Sequence, residues 1–65
     1  MSKTQKYDMI LDALQSLLEQ KDIQTISVSE IAQTAGIGKG SIYYYFPSKD
    51  AMLEALRKTL QEETK

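Results

Sequence analysis

The sequence IAQTAGIGKGSIYYYFPSK, residues 31–49, decides the fold of this chain. It contains most of a short helical pattern, a glycine turn, and a second helical pattern that a proline ends. All nine Asp and Glu residues of the chain lie outside this segment, whereas two lysines lie inside it. The surface that it builds is therefore locally positive and rich in hydrogen-bond donors, although the net charge of the chain is −1. Such a surface suits contact with a phosphate backbone.

The spacing of Ala32, Gly36 and Ile42 is typical of a helix-turn-helix. In this motif two helices cross closely, joined by a short turn that often contains glycine. The crossing needs a small residue where the backbones meet, a glycine in the turn, and a branched apolar residue in the second helix. All three are present, so the pattern predicts a helix-turn-helix.

The boundaries of the two central helices have clear local signals. Ser27 and Glu30 form a capping-box pattern at the start of the first central helix, in which hydroxyl and carboxylate each bind a free backbone N–H. Gly36 ends that helix because glycine tolerates a positive φ. Gly38 is the expected cap of the second central helix, over residues 39–46, and Pro47 ends it. Its expected buried residues are Ile42 and Phe46, and the expected buried residues of the preceding helix are Ile31, Ala32 and Ala35.

A longer helix is predicted on the N-terminal side, over residues 4–20. Its apolar residues recur at three- and four-residue spacing and form one buried stripe: Met9, Ile10, Ala13, Leu14, Leu17 and Leu18. We expect the helix to stop near residues 21–22, where Asp22 tolerates a left-handed conformation. Ile23 and Ile26 in the following loop should cover the end of the core.

A fourth helix follows Pro47, with Ser48 as its cap and Asp50 in its first turn. Arg57 and Lys58 should lie near its end, where the helix dipole favours cations, and residues 61–65 should fray. Its apolar side is expected to comprise Met52, Leu53, Leu56 and Leu60. The predicted fold class is all-α: a small homeodomain-like bundle of about four helices that contains a helix-turn-helix.

Composition excludes several other classes of protein. The 65 residues include no cysteine and no histidine, which removes thiolate metal sites, the commonest zinc ligand and the commonest general base. We therefore expect no metal, no cofactor and no enzymatic activity. No run approaches the roughly 18 to 20 apolar residues of a membrane span, and the N-terminus lacks the apolar core of a signal peptide. The expected location is the cytoplasm, without a membrane partner.

Donors cluster at the start of the third helix. Lys39 and Ser41 supply side-chain donors beside the positive end of the helix dipole, and Gly40 lets a DNA backbone approach closely. One turn later, Tyr43, Tyr44 and Tyr45 follow Lys39, Gly40 and Ser41 on the same faces. Their hydroxyls can reach phosphates and their rings can contact thymine methyls. Lys49 is badly placed for the dipole of the fourth helix, which suggests an anionic partner outside the protein.

These residues resemble the N-terminal DNA-binding domain of TetR-type transcriptional repressors over nearly the whole chain. The resemblance is carried by Ile10-Leu11 with Ala13 and Leu17, Ser27-Val28 with Ile31-Ala32, Ala35-Gly36-Ile37, the block from Lys39 to Phe46, and Ser48-Lys49-Asp50 followed by Leu53. It implies a two-fold dimer on a palindromic operator, with the third helix in the major groove. It further implies that Ser27, Tyr45 and Lys49 anchor phosphates. Ser29, Lys39, Gly40, Ser41 and Tyr43 would then lie nearest the bases, with Tyr44 at the groove edge.

The chain departs from the family pattern in three residues and in length. Asp22 stands where the family often has glycine, Gly38 where it often has serine or threonine, and Tyr45 where it often has histidine. Family members also carry a second helical domain that binds a small ligand and makes the dimer. We therefore expect residues 1–65 to be one helix-turn-helix domain from the N-terminus of a longer regulator. As this piece it should be a monomer that reads one operator half-site and has no small-molecule site.

Two readings from other classes compete with DNA binding. A helical protein-interaction module would explain the exposed tyrosines as a partner surface, but it would not explain the glycine-lysine start of the third helix. An enzyme is disfavoured because the chain offers no nucleophile–base pair. The apolar stripes of the outer helices are expected to be core and not a membrane-binding face, because their polar faces carry acidic residues.

Overall fold

The computed structural model of this protein describes residues 5–63, with side chains for residues 5–61. Four α-helices follow one another: α1 (Lys6–Leu18), α2 (Val28–Ala35), α3 (Lys39–Tyr45) and α4 (Lys49–Glu63). A single 3-10 turn over Ile23–Thr25 lies between α1 and α2. Residues 5–63 include no strand. The all-α prediction and the four-helix prediction are therefore confirmed. None of the helices described here combines the length and the apolar character that a membrane crossing requires.

Helix α1 is the centre of the bundle, since it packs against α2, α3 and α4. Four of the six residues predicted to be apolar stripe are buried, and Met9 and Leu18 are half-buried. Leu11, outside the predicted stripe, is buried as well. A helix with three packing partners buries a wider arc than the single stripe of a surface helix. The proposed start at Thr4 lies outside the described residues, and the described helix begins after Gln5.

The predicted end of α1 was wrong in position and in conformation. The helix ends at Leu18, and Glu19 still has a right-handed conformation (φ −73°). The N–H of Lys21 donates to the carbonyl of Leu17 at 3.0 Å, which closes the chain without a left-handed residue. Asp22 is extended (φ −76°, ψ 152°) and precedes the 3-10 turn. Ile26 is buried and Ile23 packs against the core, as predicted.

The capping box at α2 is half formed. The Oγ of Ser27 accepts a hydrogen bond from the N–H of Glu30 at 3.0 Å, as predicted. The Glu30 carboxylate, however, accepts from Lys21 Nζ at 2.6 Å, so it links α2 to the end of α1. This hydrogen bond from Lys21 lowers the pKa of Glu30 below its usual range. An ammonium attracts the carboxylate more strongly than a neutral backbone N–H does.

The glycine turn forms as the sequence predicts. Gly36 has φ +79°, and it is the only positive φ among the described residues. The N–H groups of Gly36 and Ile37 both donate to the carbonyl of Ala32, at 2.9 and 3.0 Å. Two donors thus satisfy one end carbonyl of α2, and α3 begins after only three connecting residues. Ile31 and Ala32 are buried, and Ala35 is half-buried.

The fourth helix starts as predicted but continues further. The Ser48 Oγ accepts from the N–H of Ala51 at 3.2 Å, which confirms its cap. The helix runs through Glu63, so the expected fraying from residue 61 is wrong for residues 61–63, and residues 64–65 lie outside the described part. The last turn of α4 contains no basic residue, so Arg57 and Lys58 do not serve its C-terminal dipole. Residues 61–63 therefore extend the helix by less than one further turn.

One hydrophobic core joins all four helices. The six largest fully buried side chains come from α1, the loop before α2, and each of the following helices: Ile10, Leu14, Ile26, Ile31, Ile42 and Met52. Phe46 is buried next to them, as the pattern of α3 predicts. Leu53 and Leu60 of the predicted α4 stripe are half-buried and 37% exposed, respectively.

We expect the change Ile42→Ala to destabilise the domain by about 2–5 kcal/mol, because it removes a fully buried side chain and leaves a cavity. The matched control is Tyr44→Ala in the same helix, where the side chain is 82% exposed; its effect should stay within about 0.5 kcal/mol. Urea unfolding followed by far-UV circular dichroism measures both. Equal losses for the two variants would contradict the packing described here.

Candidate nucleic-acid interface

Helix α3 turns its apolar residues inward and the rest of its side chains outward. Ile42 is fully buried, whereas Tyr43 is 51% and Tyr44 82% exposed. Lys39 and Gly40 at its start are exposed, and Ser41 is half-buried. The structure therefore brings the α3 residues predicted to contact bases onto one accessible part of the surface. Large exposed rings cost free energy in water, and exposed aromatic groups often mark a binding surface.

Gly40 has no structural reason to be glycine within this chain. A Cβ added at Gly40 would have no heavy atom within 4 Å outside its own helix and neighbours. Among the described glycines only Gly36 has a positive φ, so the backbone conformation at Gly40 does not require glycine. Alanine would favour the helix at this position. The described residues thus leave room for a side chain at Gly40, and the close approach of a DNA backbone there stays a prediction.

Two predicted contact residues lie at the start of α2. Ser27 and Ser29 are both exposed. The Ser27 oxygen accepts the hydrogen bond that caps α2, and its own O–H remains free to donate. Capping and donation to a phosphate are therefore compatible at this residue.

Tyr45 belongs to an aromatic cluster that we define as Tyr7, Tyr44, Tyr45 and Phe46. The Tyr45 ring meets those of Tyr7 and Tyr44 edge-on, with centroids 6.1 and 5.1 Å apart. Tyr7 also packs on Phe46 at 5.2 Å, which ties the start of α1 to the end of α3. The rings leave Tyr45 only 38% exposed. Tyr45 is consequently held in place more firmly than Tyr43 or Tyr44.

Sequence reasoning missed Tyr7, although a signal for it was present. Tyr7 lies three and four residues before Ile10 and Leu11, so it extends the buried stripe of α1 by one turn. Its 37% exposure shows that the ring packs on one side and faces solvent on the other. It supports the candidate interface from behind α3.

Lys49 has partners inside the protein that the sequence did not reveal. Its Nζ donates to the carbonyl of Ile23 at 3.0 Å and to that of Ile26 at 2.7 Å. The side chain is partly buried. Its unfavourable position at the start of α4 is thus offset by these carbonyls at the 3-10 turn, without an external anion. A phosphate contact by Lys49 stays a prediction.

The charge around α3 differs from that along α1 and α4. Residues 31–49 carry no acidic side chain, and the nearby Glu30 is paired with Lys21. Two open grooves, of about 280 and 500 Å³, border α4. Their linings come from α1 and α4 only, and include Asp8, Asp12 and Glu54. Helix α3 therefore carries one cation, Lys39, and no acidic side chain, whereas α1 and α4 carry acidic groups together with cations such as Arg57 and Lys58.

Comparison with known families gives one clear match. The profile described as "Bacterial regulatory proteins, tetR family" matches residues 10–56, which is most of the chain and includes the complete helix-turn-helix. No solved structure matches the chain.

Curated relatives of the chain are bacterial proteins, and several are described as HTH-type transcriptional regulators. The chain is 36% identical over 59 residues to an uncharacterized HTH-type transcriptional regulator, YvdT, of Bacillus subtilis, covering 91% of the chain and 30% of the relative. It is 49% identical over 47 residues to the HTH-type transcriptional regulator EthR of Mycolicibacterium smegmatis, covering 72% and 22%. It is 32% identical over 62 residues to the nucleoid occlusion factor SlmA of Actinobacillus pleuropneumoniae, covering 94% and 31%. The chain thus spans less than a third of the length of these relatives. YvdT and EthR are described as transcriptional regulators, in agreement with the prediction that the chain is not an enzyme.

Proposed function

We propose that this chain, which belongs to the bacterial tetR family of regulatory proteins, binds double-stranded DNA in a sequence-specific manner through α2 and α3. The observation that carries the proposal is the outer face of α3. It combines exposed Lys39, a glycine with no internal packing partner, and two exposed tyrosines, in a segment without acidic side chains. This arrangement suits a polyanion with apolar groups in its groove.

The third helix is the proposed reading element and lies in the major groove. An α-helix fits that groove, where each base pair presents a distinct set of donors and acceptors. Lys39, Ser41 and Tyr43 are the proposed base contacts on α3, with Gly40 where the helix backbone comes closest to DNA and Tyr44 at the groove edge. Ser29 reaches the same groove from α2. The burial of Ile42 leaves these groups on the accessible side of the helix.

Three other residues are the proposed phosphate anchors. Ser27 has a free O–H, Tyr45 is braced by the aromatic cluster, and Lys49 retains one N–H beyond the two that its carbonyl partners use. Phosphate contacts fix the register of a reader on the duplex but carry little sequence information. The three anchors lie at the start of α2, the end of α3 and the start of α4.

We further propose that the chain is the N-terminal DNA-binding domain of a longer cytoplasmic repressor. Its coverage of only 22–31% of three relatives supports a longer protein. That protein would form a homodimer on a palindromic operator, so that two copies of α3 read two half-sites. The 65-residue piece would read one half-site as a monomer, and its affinity should therefore be weak and depend strongly on salt.

Selection from random duplex DNA tests this function directly. The expected result is enrichment of a short half-site, whose binding can then be measured by fluorescence anisotropy at low ionic strength. Wild-type protein that enriches no sequence, and binds no duplex above background, would overturn the proposal. A protein-interaction module is the reading that this outcome would favour.

Gly40→Ala distinguishes the effect of this residue on stability from its effect on DNA affinity. We expect the free energy of unfolding to rise by up to about 1 kcal/mol, because alanine favours a helix and the added Cβ meets no atom of the protein. Affinity for the selected duplex should fall, since the Cβ would lie where the backbone approaches DNA. Thermal unfolding and anisotropy measure the two effects. Unchanged affinity would contradict the proposed close approach of DNA to the backbone at Gly40.

The proposed anchors and base contacts should respond differently to substitution. Lys49→Met should weaken binding to every duplex by a similar factor and lower the slope of log K against log salt by about 0.9, the effect of one lost phosphate contact. Ser41→Ala or Tyr43→Ala should instead change the preference between sequences, by about 1–3 kcal/mol per base contact. Titrations on selected and scrambled duplexes at several salt concentrations distinguish the two patterns. If Lys49→Met left the salt slope unaltered, the proposed phosphate contact of Lys49 would be wrong.

A further inference from the structure

We infer that Lys49 is a positioning residue, which clamps the start of α2 to the start of α4 and so places the Ser27 hydroxyl for a phosphate. This inference rests on the proposed DNA-binding function. It assigns Lys49 a task beyond a charge contact with phosphate, because the task is carried out through Ser27 and within the protein.

The geometry of the clamp is set by two short hydrogen bonds. Lys49 Nζ lies 3.0 Å from the Ile23 oxygen and 2.7 Å from the Ile26 oxygen. These carbonyls belong to the first residue of the 3-10 turn and to the residue just after it. The N–H of Ile26 also donates to the Ile23 oxygen, at 3.2 Å, so that oxygen accepts two hydrogen bonds. The ammonium therefore holds the complete turn.

Electrostatics explains why a lysine suits this position. Backbone carbonyl oxygens carry partial negative charge, which attracts a cation. The ammonium adds a second donor to the Ile23 oxygen, which already accepts the Ile26 N–H, and it also donates to the Ile26 oxygen. Charge-assisted hydrogen bonds are shorter and stronger than neutral ones, and partial burial reduces their competition with water. A neutral side chain could not supply the same attraction.

The clamp connects the proposed phosphate anchors to one another. Ile26 immediately precedes Ser27, the cap of α2, and Lys49 follows Tyr45 by four residues. Without the clamp, the Ser27 segment would be attached to α3 and α4 mainly through the core. The Ile26 side chain is buried there, but its backbone carbonyl would lose its partner. Loosening that segment would let the Ser27 hydroxyl move relative to the rest of the interface.

The first experiment examines the free protein by NMR. In wild-type protein, the hydrogen-bonded Lys49 ammonium should exchange with water more slowly than that of Lys39, which is exposed and has no hydrogen bond or ion pair with the described residues. Lys49→Met should raise the exchange rate of the Ile26 and Glu30 amides on the order of tenfold, as expected for loss of a charged hydrogen bond. Lys39→Met is the matched control and should leave both amides unchanged. The wild-type comparison needs no variant to fold. Equal ammonium exchange for the two lysines would overturn the clamp.

The second experiment is a double-mutant cycle on duplex affinity. Ser27→Gly removes the hydroxyl but keeps a residue that is tolerated at a helix cap. It should weaken wild-type binding severalfold, yet change the affinity of Lys49→Met by less than about twofold, since an unclamped hydroxyl no longer reaches its phosphate. In the Lys39→Met background Ser27→Gly should keep its full effect.

The outcomes separate the clamp from the proposed function. If the Ser27→Gly factor is the same in the wild-type and Lys49→Met backgrounds, Lys49 does not position Ser27, and the inference is wrong while DNA binding stands. A wild-type affinity that Ser27→Gly leaves unchanged would have the same consequence. If wild-type protein binds no duplex, both the proposed function and the positioning of a phosphate anchor are wrong. Slow exchange of the Lys49 ammonium would in that case support only the hydrogen bonds of Lys49 within the protein.

Discussion

The burial of Ile42 and Phe46 is the constraint on which the candidate interface depends. Helix α3 has seven residues, too few for stability in isolation, so its position comes from these two side chains in the core. Because these two side chains are buried, other residues of α3 face outward, among them Lys39, Gly40, Tyr43 and Tyr44. The exposed chemistry of α3 is thus a direct consequence of packing on its other side.

The hydrophobic core holds the helices together, and polar and aromatic contacts fix their relative orientation. Hydrophobic burial is non-directional, whereas hydrogen bonds between distant residues restrict how segments sit relative to one another. The Lys21–Glu30 pair links the end of α1 to α2, and the Lys49 ammonium links the loop before α2 to α4. Tyr7 links the start of α1 to the end of α3 through Phe46 and Tyr45. Together they surround the helix-turn-helix with contacts that a thin core alone would not supply.

Prediction from the sequence succeeded where a local signal is unopposed. The glycine turn at Gly36, the caps at Ser27 and Ser48, and the buried pair in α3 each follow from one residue type and its immediate neighbours. Prediction failed where a distant residue offered a better partner. The Glu30 carboxylate accepts from the ammonium of Lys21 instead of the backbone N–H of its own capping box.

The features of the candidate site likewise divide into those that the sequence predicted and those that it did not. Residue types and spacing by themselves determined that this chain forms a helix-turn-helix, with donors and tyrosines on a segment free of acidic groups, because periodicity and turn chemistry act over a few residues. Only the tertiary structure decided that Tyr7 braces Tyr45, that Gly40 has open space around it, and that Lys49 has carbonyl partners 23 and 26 residues away. The physical reason is that a side chain's partners across the bundle depend on where the folded backbone brings them, which no local pattern records.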